Sequence, residues 1–210
     1  MSACLIFAAG SFYGVPAVPA EGDVVIAADA GYKYCLEAGI KPDILMGDFD
    51  SMPVPATDCR LERFPVEKDD TDTMLAIRRG LELGCTEFHI YGGTGGERLD
   101  HTIANLQALV FLSVRGARGY LYDSRYVWTA ITNSSLILAG RDGDSVFSVF
   151  CFGPDAKGVT ITGAKYNVYN ADVSASFPVG VSNHFTDEAA EISVADGTLV
   201  IGWEAPGEEE

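Results

Sequence analysis

Ile44-Leu45-Met46-Gly47-Asp48-Phe49-Asp50-Ser51 sets a short apolar run directly before two carboxylates, with no Lys or Arg between Pro42 and Asp58. Apolar residues closed off in this way mark a buried strand leaving the core at its carboxyl end. In extended chain, residues i and i+2 face the same side, so Asp48 and Asp50 aim at one point. Two unit charges about 4 Å apart repel by about 4 kcal/mol at an effective dielectric near 20. A proton shared between them or a hard divalent cation would offset that repulsion.

The same grammar repeats on both sides of this stretch. Upstream, 5–9 is apolar and stops at Gly10, and 24–29 is apolar and stops at Asp29. Downstream, strands are expected at 60–66, 87–91 and 119–122. Helical patterns fall between them: 30–38 before Gly39, 71–83 before Gly84, and 100–114. The second of these carries Met74, Ile77 and Leu81 on one stripe, and the third is expected to turn Ile103, Leu106, Leu109 and Val110 inward. Apolar strands alternating with amphipathic helices predict an α/β domain over 1–123, a parallel sheet with helices on both faces. Such sheets bind ligands beyond the carboxyl ends of their strands, where Asp29, Asp48 and the turn after residue 91 fall.

The texture changes after Ser124. Strand-like runs at 127–138, 145–152, 159–162, 166–173 and 199–203 are separated by Asp142-Gly143, Gly153-Pro154, Pro178 and Asp196-Gly197. Residues 124–210 are therefore expected to form an all-β sandwich with a short acidic tail.

Two more stretches bear on chemistry. Glu67-Lys68-Asp69-Asp70-Thr71-Asp72 packs four acids and a lysine where a helix opens. Asp and Thr cap helices and suit the helix dipole, which accounts for any one of them but not for the density. Acids to hold magnesium beside a cation to steady a phosphate would account for it. Gly92-Gly93-Thr94-Gly95-Gly96-Glu97-Arg98-Leu99-Asp100-His101 follows a strand and precedes a helix. Its glycines let backbone N–H groups approach a ligand closely. No Gly-Lys-Ser/Thr follows, and the spacing is not that of a dinucleotide fingerprint. Arg98 offers a planar fork for phosphate oxygens. Asp100 is placed to accept a proton or orient a hydroxyl, and His101 to do either or to cap the helix. His89, within a strand, reads as a packed histidine; His184 is open to either role.

Composition limits the partners. The 210 residues carry 14 Lys plus Arg against 30 Asp plus Glu, a net charge of −16. That disfavours nucleic acid and anionic membranes, and no run reaches the length of a membrane span. Five scattered cysteines without a Cys-x-x-Cys pair, and a start without a basic signal region, point to a cytoplasmic protein with reduced thiols.

Taken in order, these stretches resemble the bacterial thiamine pyrophosphokinase (thiamine diphosphokinase) family. The carriers are Ala28-Asp29-Ala30-Gly31, Pro42-Asp43 leading to Gly47–Ser51, Lys68–Asp72, and Gly95–Asn105. Gly163-Ala164-Lys165-Tyr166 and Ser182-Asn183 complete the set in the second domain. The resemblance implies a homodimer with its site between subunits, ATP bound by the α/β domain, and thiamine bound with help from the β-sandwich. The implied reaction moves the diphosphoryl group of ATP to the thiamine hydroxyl and releases AMP. By position, Asp48, Asp50, Asp69 and Asp72 would hold Mg2+. Lys68 and Arg98 would contact phosphates, with Asp29, Thr71, Gly95, Gly96, His101 and Asn105 completing the ATP site. Asp100, Arg98 and Asp72 would be catalytic; Tyr166, Ser182 and Asn183 would meet thiamine. Glu97 stands as an extra residue in the glycine turn and Ala30 where glycine is expected. Two other readings of the residues are a haloacid-dehalogenase-like phosphatase, from Asp48-Phe49-Asp50-Ser51, and a non-catalytic nucleotide sensor.

Overall fold

The computed structural model describes residues 2–15, 18–47, 59–65, 70–141 and 143–205. Asp48, Asp50, Lys68 and Asp69 lie outside the described residues. The chain forms two compact units, Met1–Ala108 with Gly119–Ser124, and Leu109–Arg118 with Arg125–Glu210.

The first unit contains β1 (Ala3–Phe7), β2 (Val24–Ala28), α1 (Tyr32–Glu37), β3 (Ile44–Gly47), β4 (Arg60–Arg63), α2 (Asp72–Glu82), β5 (Glu87–Tyr91), the start of α3 (Leu99–Ser113), and β6 (Arg118–Tyr122). The strand order is β6-β5-β1-β2-β3-β4. The β1–β2, β1–β5, β2–β3 and β3–β4 ladders are all parallel. Cys4, Leu5, Ile6 and Phe7 are all buried, as a strand covered on both faces requires. Leu5 and Phe7 pack in one cluster with Tyr34 and Cys35 of α1. Cys4, pointing the other way, lies against Gly80 of α2. The two helices therefore cover opposite faces of β1.

Two details differ from the sequence expectation. Of the strand expected over 60–66, Arg60–Arg63 is strand and Phe64 and Pro65 are not; the strand is largely exposed, and three of its four residues, Arg60, Glu62 and Arg63, are charged. Ile103 does not turn inward; it is 48% exposed. The buried positions of α3 are Asn105, Ala108, Leu109 and Leu112, at the i, i+3, i+4, i+7 spacing of one helix face. Asn105 holds an interior place because its amide has a fixed partner, described below.

The second unit is built from β7 (Tyr126–Thr132), β8 (Ser135–Leu138), β9 (Val146–Cys151), β10 (Ala156–Thr162), β11 (Val168–Val173), β12 (Gly180–His184), β13 (Ala190–Ser193) and β14 (Thr198–Glu204). Its strands run in the orders β12-β9-β14-β7 and β11-β10-β13-β8. Pairings within each set are antiparallel. Phe147, Val149, Leu199 and Ile201 from the first set share one core with Leu136, Val159, Ile161 and Ile192 from the second. The run 127–138 proves to be two strands, parted at Asn133, whose φ of 48° gives the left-handed turn that asparagine tolerates. β12 and β13 escaped the pattern reading. β12 spells Gly-Val-Ser-Asn-His, poor in strand formers, and β13 has only four residues. Among the described residues, no helix is long and apolar enough to cross a membrane.

Candidate active site

β1 has β2 on one side and β5 on the other, so the chain changes direction across the sheet at β1. Loops leaving such a switch point part company and open a crevice beyond the strand ends. Here that crevice is a cavity of about 350 Å³, walled by Ala8–Ser11 after β1, Ala28 and Asp29 after β2, and Gly92–Arg98 after β5. Thr71, Asp72 and Thr73 at the start of α2, with His101 and Asn105 of α3, close it.

The loop after β1 is fastened to the glycine turn. Ala8 N–H donates to the Tyr91 carbonyl at 2.8 Å, Gly10 N–H to Gly92 at 2.7 Å and Ser11 N–H to Thr94 at 2.9 Å. The Tyr34 hydroxyl donates to the Gly10 carbonyl at 2.5 Å, and its ring stacks on Phe12 at 4.7 Å. Gly10 permits this approach: a Cβ there would stand 2.6 Å from the Gly92 oxygen. From the other side, Asn105 Nδ2 donates to the Gly93 carbonyl at 2.6 Å. Gly95 and Gly96 take φ of 69° and 72°, a region glycine enters without steric cost. The turn is thus held from β1 and from α3 before any ligand arrives.

At the start of α2, Thr71 is the N-cap and its Oγ1 accepts from Met74 N–H at 3.2 Å. Asp72, in the first turn, faces the cavity. Asp70 forms an ion pair with Arg78 at 2.9 Å, so that member of the acid run has a structural task. Asp29 adopts φ of 48° where β2 ends, an unusual conformation at the cavity wall.

Arg98 and Asp100 meet in a fork: Nε to Oδ1 at 2.9 Å and Nη2 to Oδ2 at 2.7 Å. Both side chains are about two-thirds exposed. The Arg98 hydrogen bonds hold the Asp100 carboxyl down at about 2; loss of hydration is the next largest effect and opposes them, while the Arg98 charge and the neighbouring His101 N–H and charge lower it further. Arg98 is raised in turn, chiefly by its hydrogen bonds to Asp100. Side-on pairing occupies Nε and one Nη2 hydrogen, leaving Nη1 for an incoming anion. Arg98 lines the cavity; Asp100 does not.

The structure therefore gathers Asp29, Thr71, Asp72, Gly95, Gly96, Arg98, His101 and Asn105 around one cavity. The β1 loop, Tyr34 and Thr94 were missed by sequence reasoning; Gly10-Ser11, ending the first apolar run, was the available signal. His89 is a packed histidine, its ring nitrogens against the Tyr122 hydroxyl at 2.8 Å and Glu87 at 3.0 Å. Among the described residues, no group of three or more His, Cys, Asp or Glu is placed to hold a metal ion.

In the second unit, Tyr166 and Asn183 line a largely apolar cavity of about 220 Å³ with Val168, Val173, Val179 and Val181. Ser182 sits at φ 59°, where the β12–β9 register shifts, and its N–H donates to Ser148 Oγ at 3.1 Å. Ser182 is not part of that cavity's wall.

A parallel sheet whose carboxyl edge carries a crevice at its switch point, walled by a pinned glycine turn, defines an α/β protein of the class that takes its ligand at that edge. Comparison with known proteins narrows the class. Residues 17–120 match the family description "Thiamin pyrophosphokinase, catalytic domain", and residues 137–199 match "Thiamin pyrophosphokinase, vitamin B1 binding domain". The chain belongs to the thiamin pyrophosphokinase family of enzymes. A relative, thiamine pyrophosphokinase of Bacillus subtilis (strain 168), is 28% identical over 187 residues, covering 86% of this chain and 87% of the relative. The crystal structure of thiamine pyrophosphokinase from Bacillus subtilis superposes with a TM-score of 0.87 at 25% identity, covering 98% of this chain and 100% of that one. Thiamin pyrophosphokinase from Candida albicans shares the fold at 13% identity, with a TM-score of 0.74 over 98% of this chain and 89% of that one.

Proposed function

We propose that this chain transfers the diphosphoryl group of ATP to the hydroxyl of thiamine, giving thiamine diphosphate and AMP. The observation that carries this reading is the cavity at the switch point, where Arg98, Asp72 and the pinned glycine turn converge. The hydroxyl oxygen bonds to the β-phosphorus, the bond from that phosphorus to the α–β bridging oxygen breaks, AMP leaves, and the hydroxyl proton is released. Such a displacement needs alignment and charge neutralisation more than a covalent nucleophile. Lys68 and Arg98 neutralise phosphate oxygens, while the glycine turn offers backbone N–H groups. Asn105 fixes that turn through Gly93. Asp100, ionised throughout neutral pH, orients the Arg98 fork and stands by the attacking hydroxyl. Asp29, Thr71 and His101 belong to the wall against which ATP rests.

The donor set Asp48, Asp50, Asp69 and Asp72 is all carboxylate oxygen, which suits Mg2+. Bound there, the ion supplies charge neutralisation of the phosphates. Tyr166, exposed in the second unit, offers an aromatic face to the thiamine cation, with Ser182 and Asn183 nearby on β12. The reading includes a homodimer whose subunits complete one another's sites. Exposed Tyr169, Phe177, Val179 and Val181 in the second unit support such an association. It also includes a cytoplasmic location, in keeping with five free cysteines, four of them buried.

The test is purified protein with ATP, Mg2+ and thiamine, followed by chromatography of nucleotides and thiamine esters. Thiamine diphosphate and AMP are expected only when all three are present, with loss of product on adding excess EDTA or in Asp50→Asn. AMP appearing at the same rate without thiamine, or product untouched by EDTA, refutes the reading.

A further inference from the structure

Asn183 is buried, 6% exposed, yet its amide spends its hydrogen bonds on backbone. Nδ2 donates to the Tyr166 carbonyl at 2.8 Å, and Oδ1 accepts from the Tyr166 N–H at 3.0 Å. Oδ1 also accepts from the His184 N–H at 2.9 Å. Both Oδ1 lone pairs are thereby occupied, and only one Nδ2 hydrogen is left over. A side chain that meets both the N–H and the C=O of a residue seventeen positions away does the work of a neighbouring strand. It does so where the regular ladder has stopped. Tyr166 lies between β10 and β11, and the nearby main-chain links are Lys165 N–H to the His184 carbonyl at 3.1 Å and the Ala164–Phe185 bridge.

The result is a residue with a fixed backbone and a presented ring. Tyr166 is 57% exposed. The Lys165 ammonium lies over its ring, 5.5 Å from the centroid, and the His184 ring meets it edge-on at 6.3 Å. His184 is itself anchored, Nδ1 against the Gly143 carbonyl at 2.9 Å.

We propose that Asn183 is a positioning residue: it holds the Tyr166 main chain so that the ring stands ready as a face for a cationic heteroaromatic ring, and does not itself recognise that ring. This rests on the proposed use of Tyr166 toward thiamine. Holding the ring in place removes an ordering cost that the ligand would otherwise bear. The clamp acts on the Tyr166 main chain and on no phosphate, so its loss is felt as weaker thiamine capture and not as slower chemistry.

The experiment is a double-mutant cycle in the full chain, with Asn183→Ala, Tyr166→Ala and the pair, together with the isosteric Asn183→Asp. Asn183→Asp keeps the Oδ1 acceptor but sets an oxygen against the Tyr166 carbonyl, and guards against a folding failure of the alanine variant. Either Asn183 variant is expected to raise the thiamine KM about tenfold, the alanine by losing both hydrogen bonds to Tyr166 and the aspartate by losing one and setting oxygen against oxygen, with kcat and the ATP KM little changed. Amide exchange at Tyr166 should accelerate. In the Tyr166→Ala background, Asn183→Ala should add nothing further. Losses that multiply in the double variant would show that Asn183 touches the ligand, and would overturn the proposal. A wild-type thiamine KM in Tyr166→Ala would instead overturn the assignment of Tyr166 on which it rests.

Discussion

Replacing Gly10 by alanine tests the junction of the β1 loop with the glycine turn. The added Cβ would stand 2.6 Å from the Gly92 oxygen and 2.8 Å from the Thr94 oxygen, where ordinary contact begins near 3.4 Å. Both neighbours are backbone, so no side chain can swing aside; the loops must part by roughly 0.6–0.8 Å. Overpacking of this kind costs about 1–3 kcal/mol. The Gly10-to-Gly92 and Ser11-to-Thr94 hydrogen bonds stretch as well, at about 1 kcal/mol each if lost. The expected destabilisation is about 2–4 kcal/mol, read as a fall in Tm of about 2–4 °C per kcal/mol for a chain of this size. A displacement approaching 1 Å beside the cavity should also lower kcat/KM for thiamine diphosphate formation by up to about a hundredfold. Gly143→Ala is the control, because its Cβ would meet only the Phe185 oxygen at 3.9 Å. Thermal melts and steady-state rates on both variants decide the matter. A Gly10→Ala protein with wild-type Tm and kcat/KM within twofold of wild type would refute the close-approach reasoning.

Three other perturbations address separate parts of the molecule. Asp100 has its carboxyl held down at about 2, so its ion pair with Arg98 is fully present above the ordinary carboxylate range near 3.8 and is lost as pH falls toward 2. An NMR titration should place its midpoint near 2, moving up in Arg98→Ala; a wild-type midpoint above 4 would contradict the fork. Arg98→Lys keeps the charge but loses the planar fork, and kcat/KM should fall by about 10²-fold, with unchanged kinetics counting against a phosphate contact. Phe147 is fully buried and tilted against Phe185 at 5.0 Å, so Phe147→Ala should destabilise the second unit by about 3–5 kcal/mol in urea denaturation. A loss below 1 kcal/mol would mean that the shared core tolerates the cavity.

Much of this was legible because it is local. Hydrophobic periodicity marks β1, β2, β3 and β5 as strands and α2 and α3 as helices whatever the chain does elsewhere. Helix-stop glycines behave likewise: Gly39 and Gly84 follow α1 and α2 with φ of 67° and 85°. Ile103 was misplaced because an apolar residue on a helix need not face the core when a polar one, Asn105, has a buried partner waiting. β12 was missed because glycine, serine and asparagine became strand only through pairing with β9.

The amino-acid order alone fixed which segments run straight and which coil, and where acids and glycines cluster. It did so because propensity and pattern act over a few neighbouring residues. Only the folded chain settled that the loop after β1 clasps the glycine turn more than eighty residues on, that Arg98 and not Asp100 faces the cavity, and that Asn183 grips Tyr166. The first two arise because the sheet order β5-β1-β2 brings strand ends together, the third because β12 returns beside the β10–β11 connection, and no local pattern encodes any of them.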